Sequence, residues 1–416
     1  MEQSLKTTRE ELEKLDREDP LKQFGEEFNI PEGILYFDGN SLGALPKATL
    51  DRVNEVVSEE WGKKLITSWN IAGWYYLSEK IGNKIATLIG ADDGEVICVD
   101  GTGLNIYKVH AVALRMRSER KVILMEGSNF PTDAYITQGL IGHLEQNHEI
   151  RFVEKDEILD AITEDVALVS LTQVHYKMGH LLDMKAITKK AHAVGALVVW
   201  DLCHSAGALP ITLNQCNVDF AVGCTYKFLN GGPGAPAFLF VAKRHQGKET
   251  QPLTGWFGHE QPFAFERDYR PKKNISQFLS GTQPIISLAA VEVGVDILLR
   301  ADMDCIRQKS LTLAEIFIRL FEENLADYGF AIDTPSNANQ RGSQISIRSP
   351  NGYAIMQALI EAGVIGDFRA PDSMRFGLTP LYARYTDIWD AVMKLKAIME
   401  NDTWKAERFS DFSVVT

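Results

Sequence analysis

The sequence predicts a large α/β domain built on a mostly parallel sheet, followed by a smaller α+β domain. The chain has 416 residues, about three times the length of a typical domain, so we expect two domains or one large and one small. Between residues 95 and 241, seven short apolar runs alternate with amphipathic helical patterns, which is typical of βα units around a parallel sheet. From about residue 287, long helical patterns with strand-like segments between them favour an α+β arrangement.

The N-terminal segment predicts a helix, a short strand and a turn. A helical pattern with charges on one face runs from Glu10 to Leu21, and a short strand is expected from Ile34 to Phe37. The following run DGNSLG, at 38–43, breaks both helix and strand. The strands of the predicted large domain come next, at residues 95–99, 121–125, 150–154, 166–171, 196–201, 218–223 and 236–241.

The C-terminal part alternates helices with strands. Its predicted helices cover residues 287–299, 311–328, 353–362 and 388–399, and its strand-like segments are SQISIRS at 343–349 and MRFGL at 374–378. We therefore divide the chain into three parts. These are an N-terminal arm at 1–50 that contributes to the small domain, a large domain at 51–290 and a small α+β domain at 291–416.

Charge and composition favour small-molecule partners. Lys plus Arg number 43 and Asp plus Glu 56, a net charge of −13, and an acidic protein repels nucleic-acid phosphates and anionic lipid. No segment approaches the roughly 18 apolar residues of a membrane-spanning helix, and the N-terminus lacks the basic and apolar regions of a secretion signal. We therefore expect a cytoplasmic protein that binds neither nucleic acid nor membrane.

The cysteines and histidines indicate neither a disulfide framework nor a metal site. His175 and His180 are five positions apart, which does not place them on one helix face. The five cysteines form no C-x-x-C pair, as expected in a reducing compartment; they are Cys98, Cys203, Cys216, Cys224 and Cys305. We interpret most of them as small core residues.

Gly101-Thr102-Gly103 follows the first strand of the predicted large domain and precedes a helical pattern at 104–116. Small residues at a helix start leave free N–H groups that suit an anion such as phosphate. A dinucleotide fingerprint would need a third glycine where Ile106 stands. A plain tight turn is the alternative interpretation.

Two further residues follow strands of the same sheet. Asp201 ends a fully apolar run, and His204 comes three residues later. A buried carboxylate needs a cation or several donors, although a helix N-cap would also satisfy it. Lys227 follows the next strand and precedes the glycine-rich run NGGPG, a setting that suits an amine of lowered pKa for Schiff-base chemistry.

Together these residues predict a pyridoxal phosphate site. Such a site needs a lysine to bind the cofactor covalently, a carboxylate to keep the ring nitrogen protonated and helix-terminal donors for the phosphate. Lys227, Asp201 and the glycines at 101 and 103 supply these parts. Phe130, in the run NFPTD after another strand, could stack on the ring.

The same residues carry a resemblance to a known family. The run TYKFLNGGPG at 225–234, the Asp201-x-Cys-His204 pattern, FPTD at 130–133 and FDGNSLG at 37–43 closely resemble the kynureninase family. The TYKFLNGGPG run is highly specific, and the resemblance extends from about residue 19 to the C-terminal helix. It implies a fold-type-I, pyridoxal phosphate-dependent transferase-type large domain, with helices on both faces of the sheet, and a cofactor of pyridoxal 5′-phosphate.

The resemblance also implies roles for individual residues. Lys227 would bind the cofactor, Asp201 would pair with its ring nitrogen, and Tyr226 would contact the phosphate and relay a proton. Trp256 and Thr282 would reach the phosphate from the neighbouring subunit of a homodimer, and Arg375 would hold the substrate α-carboxylate. The remaining implied cofactor contacts are Thr102, Gly103, Phe130, Pro131, Thr132, Asp133, Thr172 and His204.

The implied reaction is hydrolytic Cβ–Cγ cleavage of L-kynurenine to anthranilate and L-alanine, with 3-hydroxykynurenine as a second substrate, in tryptophan catabolism and pyridine nucleotide synthesis. Thr282 stands where animal relatives have Asn, which favours kynurenine. Gly103 stands where many relatives have Ser or Thr, so a side-chain hydrogen bond is missing. Trp69 and Trp74 are candidates for an aromatic substrate pocket or for ordinary core packing.

Two other functions agree less well with the sequence. A cysteine desulfurase or selenocysteine lyase shares the fold and cofactor but needs a mobile cysteine in the C-terminal part, and no cysteine follows Cys305. A ligand-binding protein that merely retains the fold would not need to keep Lys227, Asp201 and Arg375 together. The sequence therefore favours the hydrolase.

Overall fold

The computed structural model describes residues 7–411. The outermost residues of two predicted segments, 1–6 of the arm and 412–416 of the small domain, lie outside this range. The strands are β1 (Phe28–Asn29), β2 (Leu35–Tyr36), β3 (Leu45–Pro46), β4 (Val96–Cys98), β5 (Val122–Glu126), β6 (Glu149–Val153), β7 (Val166–Thr172), β8 (Leu197–Asp201), β9 (Phe220–Gly223), β10 (Phe238–Val241), β11 (Ala331–Ile332), β12 (Gln344–Arg348), β13 (Val364–Ile365), β14 (Asp367–Arg369) and β15 (Ser373–Gly377).

The helices alternate with these strands along most of the chain. They are α1 (Arg9–Glu18), α2 (Ala48–Glu55), α3 (Ser68–Ile71), α4 (Leu77–Ile89), α5 (Thr102–Met116), α6 (Pro131–Leu144), α7 (Ile158–Ala161), α8 (Met184–Ala193), α9 (Ile285–Arg300), α10 (Met303–Leu325), α11 (Gly352–Glu361) and α12 (Tyr385–Glu400). Across the described residues, no helix is long and apolar enough to cross a membrane.

The large sheet has seven strands in the order β4-β10-β9-β8-β7-β5-β6. The pairs β5–β6, β5–β7, β7–β8 and β8–β9 are parallel, while β10 pairs antiparallel with both β9 and β4. Every residue of β5, β7 and β8 is buried, which explains why these strands read as continuous apolar runs rather than as alternating ones. The predicted α/β fold with a mostly parallel sheet is confirmed.

The C-terminal part contains a four-stranded antiparallel sheet in the order β11-β12-β15-β14. Its core is formed with helices α10, α11 and α12, and N-terminal Leu12 and Phe37 join it. Strand β2 also pairs with β13 of this part. Leu21, Phe24 and Phe28 instead pack into the core under the large sheet, so the N-terminal arm contacts both cores. The exact domain limits 1–50, 51–290 and 291–416 stay predictions.

Two predicted helix boundaries were wrong. The helix expected from Leu311 begins eight residues earlier, at Met303, because the Asp302 carboxylate caps it by accepting from the backbone N–H groups of Asp304 and Cys305. The first helix was expected to reach Leu21 but ends at Glu18, where Asp19 turns extended. The side chain of Asp19 then bonds the backbone N–H of Leu21, which favours a turn over another helical residue.

Candidate active site

The parallel register brings the predicted cofactor residues to one edge of the sheet. Thr172, the last residue of β7, is the register partner of Asp201, the last residue of β8, and Asp201 is the partner of Val222 in β9. The chain then continues from β9 into the segment that carries Lys227. Carboxyl ends of parallel strands are where α/β proteins bind ligands, so the fold places these side chains where chemistry is expected.

Lys227 and His204 form the centre of this edge. The Lys227 Nζ atom lies 2.9 Å from His204 Nε2. His204 is only 4% exposed, and burial together with the nearby Lys227 charge holds its pKa well below the usual range. The imidazole is therefore neutral and can accept a hydrogen bond from the lysine ammonium. The Gln344 side chain acts on the same ring in the opposite direction, toward a higher pKa.

Two buried carboxyl groups lie in the same site. Asp201 Oδ1 accepts from the backbone N–H of Cys203 at 2.6 Å, and burial raises the pKa of Asp201. Burial, reinforced by the Asp201 charge, also raises the pKa of Asp133 well above its usual value. The neighbouring Lys227 charge already lowers the pKa of each carboxyl group. A further positive charge nearby would stabilise their ionised forms in the same way.

Asn129 was not among the predicted residues, although it stands directly before Phe130. Its Nδ2 donates to Asp133 Oδ2 at 3.0 Å, and its Oδ1 accepts from the Thr172 hydroxyl at 2.7 Å. Asn129 thereby links the end of β7 to the start of α6 and orients two predicted cofactor residues. Its place in the quoted NFPTD run was the signal available in the sequence.

A cavity of about 460 Å³ opens beside this centre. Its walls are formed by Val99, Asp100, Gly101, Tyr226, Gly234, Ala235, Pro236, Ser280, Gly281, Thr282, Gln283 and Pro284. Thr102 is the first residue of α5, and its Oγ1 lies 3.7 Å from Cys203 Sγ. The N-terminus of a fifteen-residue helix and the Tyr226 side chain therefore border one cavity, as a phosphate site requires.

Gly103 is not demanded by packing. A Cβ atom at this position would lie 3.4 Å from the Ile136 side chain and 3.6 Å from that of Thr132. The Ile136 and Thr132 side chains would have to move by no more than a few tenths of an ångström. The absence of a serine or threonine at this position is therefore a loss of a polar contact rather than a steric necessity.

Phe130, Pro131 and Thr132 begin helix α6. Phe130 is the N-cap residue and Pro131 the first helical residue, a position that proline favours. The Phe130 ring is 47% exposed and meets Tyr176 edge-on, with 5.3 Å between ring centroids. About half of the Phe130 side chain is thus accessible beside the site, and its stacking on a cofactor ring stays a prediction.

Arg375 lies in β15 of the small sheet and is 2% exposed. Its Nε donates to Asp367 Oδ1 at 2.7 Å, and its Nη2 pairs with Asp367 Oδ2. The other terminal nitrogen, Nη1, donates to the backbone oxygen of Tyr176 at 2.5 Å, and Nη2 also bonds the Ser41 hydroxyl at 3.0 Å. Arg375 is thus held by residues of both parts of the chain, and no sequence pattern pointed to Asp367.

The three tryptophans among the predicted site residues lie in an aromatic cluster. Trp74 is buried, and its Nε1 donates to Glu60 Oε2 at 2.6 Å. Trp69 meets Trp74 edge-on at 5.9 Å and also contacts Phe257. Trp256 is 42% exposed and packs against Phe257 at 4.2 Å. These contacts account for core packing; a substrate role for Trp69 and Trp74 stays a prediction.

The DGNSLG run packs directly on the lysine loop. The Gly43 backbone N–H donates to the oxygen of Tyr226 at 2.8 Å. A Cβ at Gly43 would overlap the carbonyl oxygen of Lys227 and the Asn230 side chain. Glycine is therefore required there by close approach, and the early motif supports the loop that carries Lys227.

These observations fit pyridoxal phosphate. The site combines a half-buried lysine, two buried carboxyl groups that lack a full counter-charge and a buried, neutral histidine. A protonated pyridine ring would supply the missing positive charge, and the cavity beside Gly101 and Tyr226 would take an anion. Metal ligation is not indicated, since residues 7–411 contain no group of three or more His, Cys, Asp or Glu side chains arranged to hold an ion.

Solved structures with a similar fold define the class of protein. An apo cysteine desulfurase from Thermococcus onnurineus NA1 superposes with a TM-score of 0.78 at 17% identity, covering 91% of this chain and 98% of that one. A mutant of C-DES with glycine covalently linked to its PLP cofactor gives a TM-score of 0.76 at 16% identity, covering 89% and 98%. The chain has the fold of the pyridoxal phosphate-dependent enzymes of fold type I.

Sequence relatives are more specific. A kynureninase of Pseudomonas fluorescens is 50% identical over 408 residues, covering 97% of this chain and 98% of the relative. A kynureninase of Burkholderia pseudomallei (strain 1106a) is 48% identical over 414 residues, covering 98% and 100%. Residues 306–395 match the family model of the kynureninase C-terminal domain.

The chain belongs to the kynureninase family. It is therefore a pyridoxal phosphate-dependent hydrolase that acts on kynurenine, as the resemblance of the TYKFLNGGPG run implied. The likeness to cysteine desulfurases, at 17–18% identity, reflects the shared fold alone. This likeness is therefore no evidence for desulfurase activity.

Proposed function

We propose that this chain hydrolyses the Cβ–Cγ bond of L-kynurenine to give anthranilate and L-alanine, with Lys227, Asp201 and Tyr226 as its catalytic residues. The observation that carries the assignment of residues is the contact of Lys227 Nζ with His204 Nε2 at 2.9 Å, beside buried Asp201. When bound, pyridoxal phosphate supplies an electron sink for negative charge at the substrate carbons. Thr282 supports kynurenine over 3-hydroxykynurenine.

Lys227 holds the cofactor and, once displaced by the substrate amine, moves a proton at the substrate α-carbon. Neutral His204 contacts Lys227 Nζ and so keeps this nitrogen at the sheet edge. Asp201 meets the ring nitrogen, because a buried carboxylate with a raised pKa is stabilised by a protonated nitrogen at contact distance.

The other predicted cofactor residues surround Lys227 and Asp201. Phe130 would stack on the cofactor ring, and Asp133, Thr172 and His204 would contact the ring substituents. Tyr226 borders the cavity with Gly101, where its hydroxyl donates to the phosphate. The other proposed cofactor contacts are Thr102, Gly103, Pro131 and Thr132.

Arg375 orients the substrate through its α-carboxylate. One edge of its guanidinium is paired with Asp367. At the Nη1–Nη2 edge, the substrate carboxylate would replace the present contacts with the Tyr176 carbonyl and the Ser41 hydroxyl. A planar guanidinium suits a two-oxygen ligand. Trp69 and Trp74 are proposed to border the aniline ring.

A homodimer with shared active sites is also part of the proposal. Trp256 and Thr282 are exposed, as residues that reach a neighbouring subunit would be. A band of large apolar side chains around residues 57–76 and 263–265 is exposed as well, and a monomer rarely leaves such a band uncovered; it includes Trp61, Ile66, Ile71, Tyr76, Phe263 and Phe265. The five free cysteines support a reducing, cytoplasmic location.

The test is to follow anthranilate fluorescence from L-kynurenine while locating the cofactor. We expect borohydride treatment to fix the cofactor mass on the peptide that contains Lys227, and Lys227→Ala to lose both this product and activity. Lys185→Ala, on α8, is the matched control and should keep both. Anthranilate release by Lys227→Ala at the normal rate, or cofactor fixed on another lysine, would refute the assignment.

A further inference from the structure

Lys108 is a fully buried lysine with no part in the proposed reaction. It lies in α5, and its exposed fraction is 0%. Its Nζ atom is 2.5 Å from Asp100 Oδ2 and 2.5 Å from the backbone oxygen of Phe278. Burial lowers the pKa of Lys108, and the Asp100 carboxylate partly restores it. Since burying an ammonium is costly unless it is paired, this arrangement needs a reason.

The first partner of Lys108 controls the turn from β4 into α5. Asp100 has a φ of +49°, the left-handed conformation that lets the chain reverse before the helix begins. Its backbone oxygen accepts from the N–H of Ala237 at 2.7 Å. Gly101, the N-cap of α5, follows directly. The Lys108–Asp100 ion pair therefore fixes the side chain of the residue that sets where the helix N-terminus points.

The second partner, Phe278, lies two residues before a segment that lines the same cavity. Phe278 is 1% exposed and ends a 3₁₀ turn that begins at Ile275. The chain then runs through Leu279 into the segment 280–284, every residue of which lines the cavity with Asp100, Gly101 and Tyr226. The Lys108 ammonium group thus bonds Asp100, which lines the cavity, and Phe278, which lies two residues before the lining segment.

We propose that Lys108 is a positioning residue that fixes both segments for phosphate binding: residues 100–103 toward the phosphate of their own chain, and residues 278–282, through Thr282, toward that of the neighbouring subunit. The inference rests on the proposed function of the cavity. Lys108 itself is absent from the cavity lining, and its charge is met by Asp100, so it acts through the geometry of residues 100–103 and 278–282. Losing it would impair phosphate binding specifically.

Lys309 provides a closely matched control. It is 4% exposed, and its Nζ lies 2.7 Å from Asp19 Oδ2 and 2.6 Å from the backbone oxygen of Pro380. Burial lowers its pKa as well. Lys309 therefore has the same burial and the same pair of partners, one carboxylate and one carbonyl, but it lies in α10, among residues that do not line the phosphate cavity.

The experiment titrates the apo forms of the wild type, Lys108→Met and Lys309→Met with pyridoxal phosphate and, separately, with pyridoxal. Tryptophan fluorescence gives each dissociation constant, and thermal unfolding gives each Tm. We expect Lys108→Met to weaken pyridoxal phosphate binding by about tenfold or more and pyridoxal binding by less than about threefold. Lys309→Met should lower Tm but leave the ratio of the two constants unchanged.

Two results would overturn the proposal: an unchanged ratio in Lys108→Met, or an equal loss of phosphate preference in Lys309→Met. Should Lys108→Met fail to fold, Lys108→Gln removes the charge but keeps a hydrogen-bond donor for the Phe278 carbonyl, and an unchanged ratio in that variant is equally decisive. The wild-type titration distinguishes a failure of the proposed phosphate site from a failure of the role proposed for Lys108. If the wild type itself shows no preference for the phosphorylated ligand, the proposed site fails before Lys108 is tested.

Discussion

Asp38 is a partly buried carboxyl group next to the carboxylate that holds Arg375. Burial, and then the charge of Asp367, raise the pKa of Asp38 to about 7. Within the described part of the chain, its Oδ1 has no hydrogen-bond partner. The groups that face it are Ser41 on its own segment, Asp367 and Arg375 on the small sheet, and more distantly Tyr36, Arg369 and Tyr382. Its ionisation therefore changes the charge of the proposed substrate-carboxylate site.

The sign of this effect predicts a pH dependence. With Asp38 protonated, the two arginines and Asp367 leave one net positive charge for the substrate carboxylate; ionisation of Asp38 above about pH 7 cancels it. We expect KM for L-kynurenine to rise about three- to tenfold between pH 6 and 8.5, with a smaller change in kcat. Initial-rate kinetics across this range measure it.

Asp38→Asn should remove the rise in KM, because the amide cannot ionise. Asp372→Asn is the control: it removes a carboxylate from the loop before β15 that pairs with Lys177 at 3.7 Å, and the rise should persist. A KM for Asp38→Asn that still follows pH as in the wild type would contradict the prediction.

Single residues were predictable from the sequence where chemistry and strand position coincide. Lys227 and Asp201 follow apolar runs, and the register indeed places those strand ends together. Asp367 and Tyr176 were not predictable, because they contact Arg375 only through tertiary packing between distant segments. A charged residue in a short strand, such as Asp367 in β14, reads in the sequence as a solvated surface residue.

At the scale of elements, buried parallel strands were the easiest to predict. The runs at 121–125 and 196–201 match β5 and β8 to within a residue, since strands buried on both faces show uninterrupted apolar character. The antiparallel direction of β10 and the pairing of β2 with β13 could not be read from such runs. Direction and partner are set by connections, not by composition.

The start of β9 is held by a buried carboxylate that sequence patterns did not single out. Asp219 is 1% exposed and accepts from His192 at 2.8 Å, His245 at 2.7 Å, Arg244 at 2.7 Å and the backbone N–H of Val198 at 2.9 Å. Burial alone would raise the pKa of Asp219, but the hydrogen bonds from the two histidines hold it well below its usual range.

Asp219→Asn should lower the free energy of unfolding at pH 7 by about 2–4 kcal/mol, because it leaves buried donors unmatched. A carboxyl whose folded pKa is depressed stabilises the protein above its unfolded pKa of about 3.9 and loses this effect as pH falls. The difference between variant and wild type should therefore shrink below about pH 4. Chemical denaturation at several pH values measures it.

Asp165→Asn is the control variant, because Asp165 is also hydrogen-bonded but its side chain is exposed. Asp165 also has a lowered pKa, about 2, through hydrogen bonds from Arg151 and Thr163, but its side chain is 51% exposed. Solvent screens such a pair, so we expect a loss below about 1 kcal/mol. Equal losses in the two variants would show that burial of Asp219 is not what makes its bonds strong.

For the whole molecule, the −13 net charge and the proposed anion sites are compatible because the charges are separated in space. Lys227, Arg375 and the N-terminus of α5 converge at the sheet edge, while many of the acidic residues lie on exposed faces. The phosphate and substrate carboxylate would thus enter a locally positive site on an acidic body. In a homodimer, the exposed Trp256 and Thr282 would add contacts to the phosphate site of the neighbouring chain.

The proposed sharing of active sites between two chains predicts that two inactive variants complement each other in mixed dimers. Lys227→Ala lacks the catalytic lysine, and the double variant Trp256→Ala, Thr282→Ala should bind the cofactor weakly. In a hybrid, the intact Lys227 of one chain meets the intact Trp256 and Thr282 of the other, so one complete site forms. With equal mixing, half of the dimers are hybrids, and we expect about a quarter of wild-type anthranilate formation. If each chain supplied all of its own site, the complete set would never meet, and refolded mixtures would stay at the level of the parent variants.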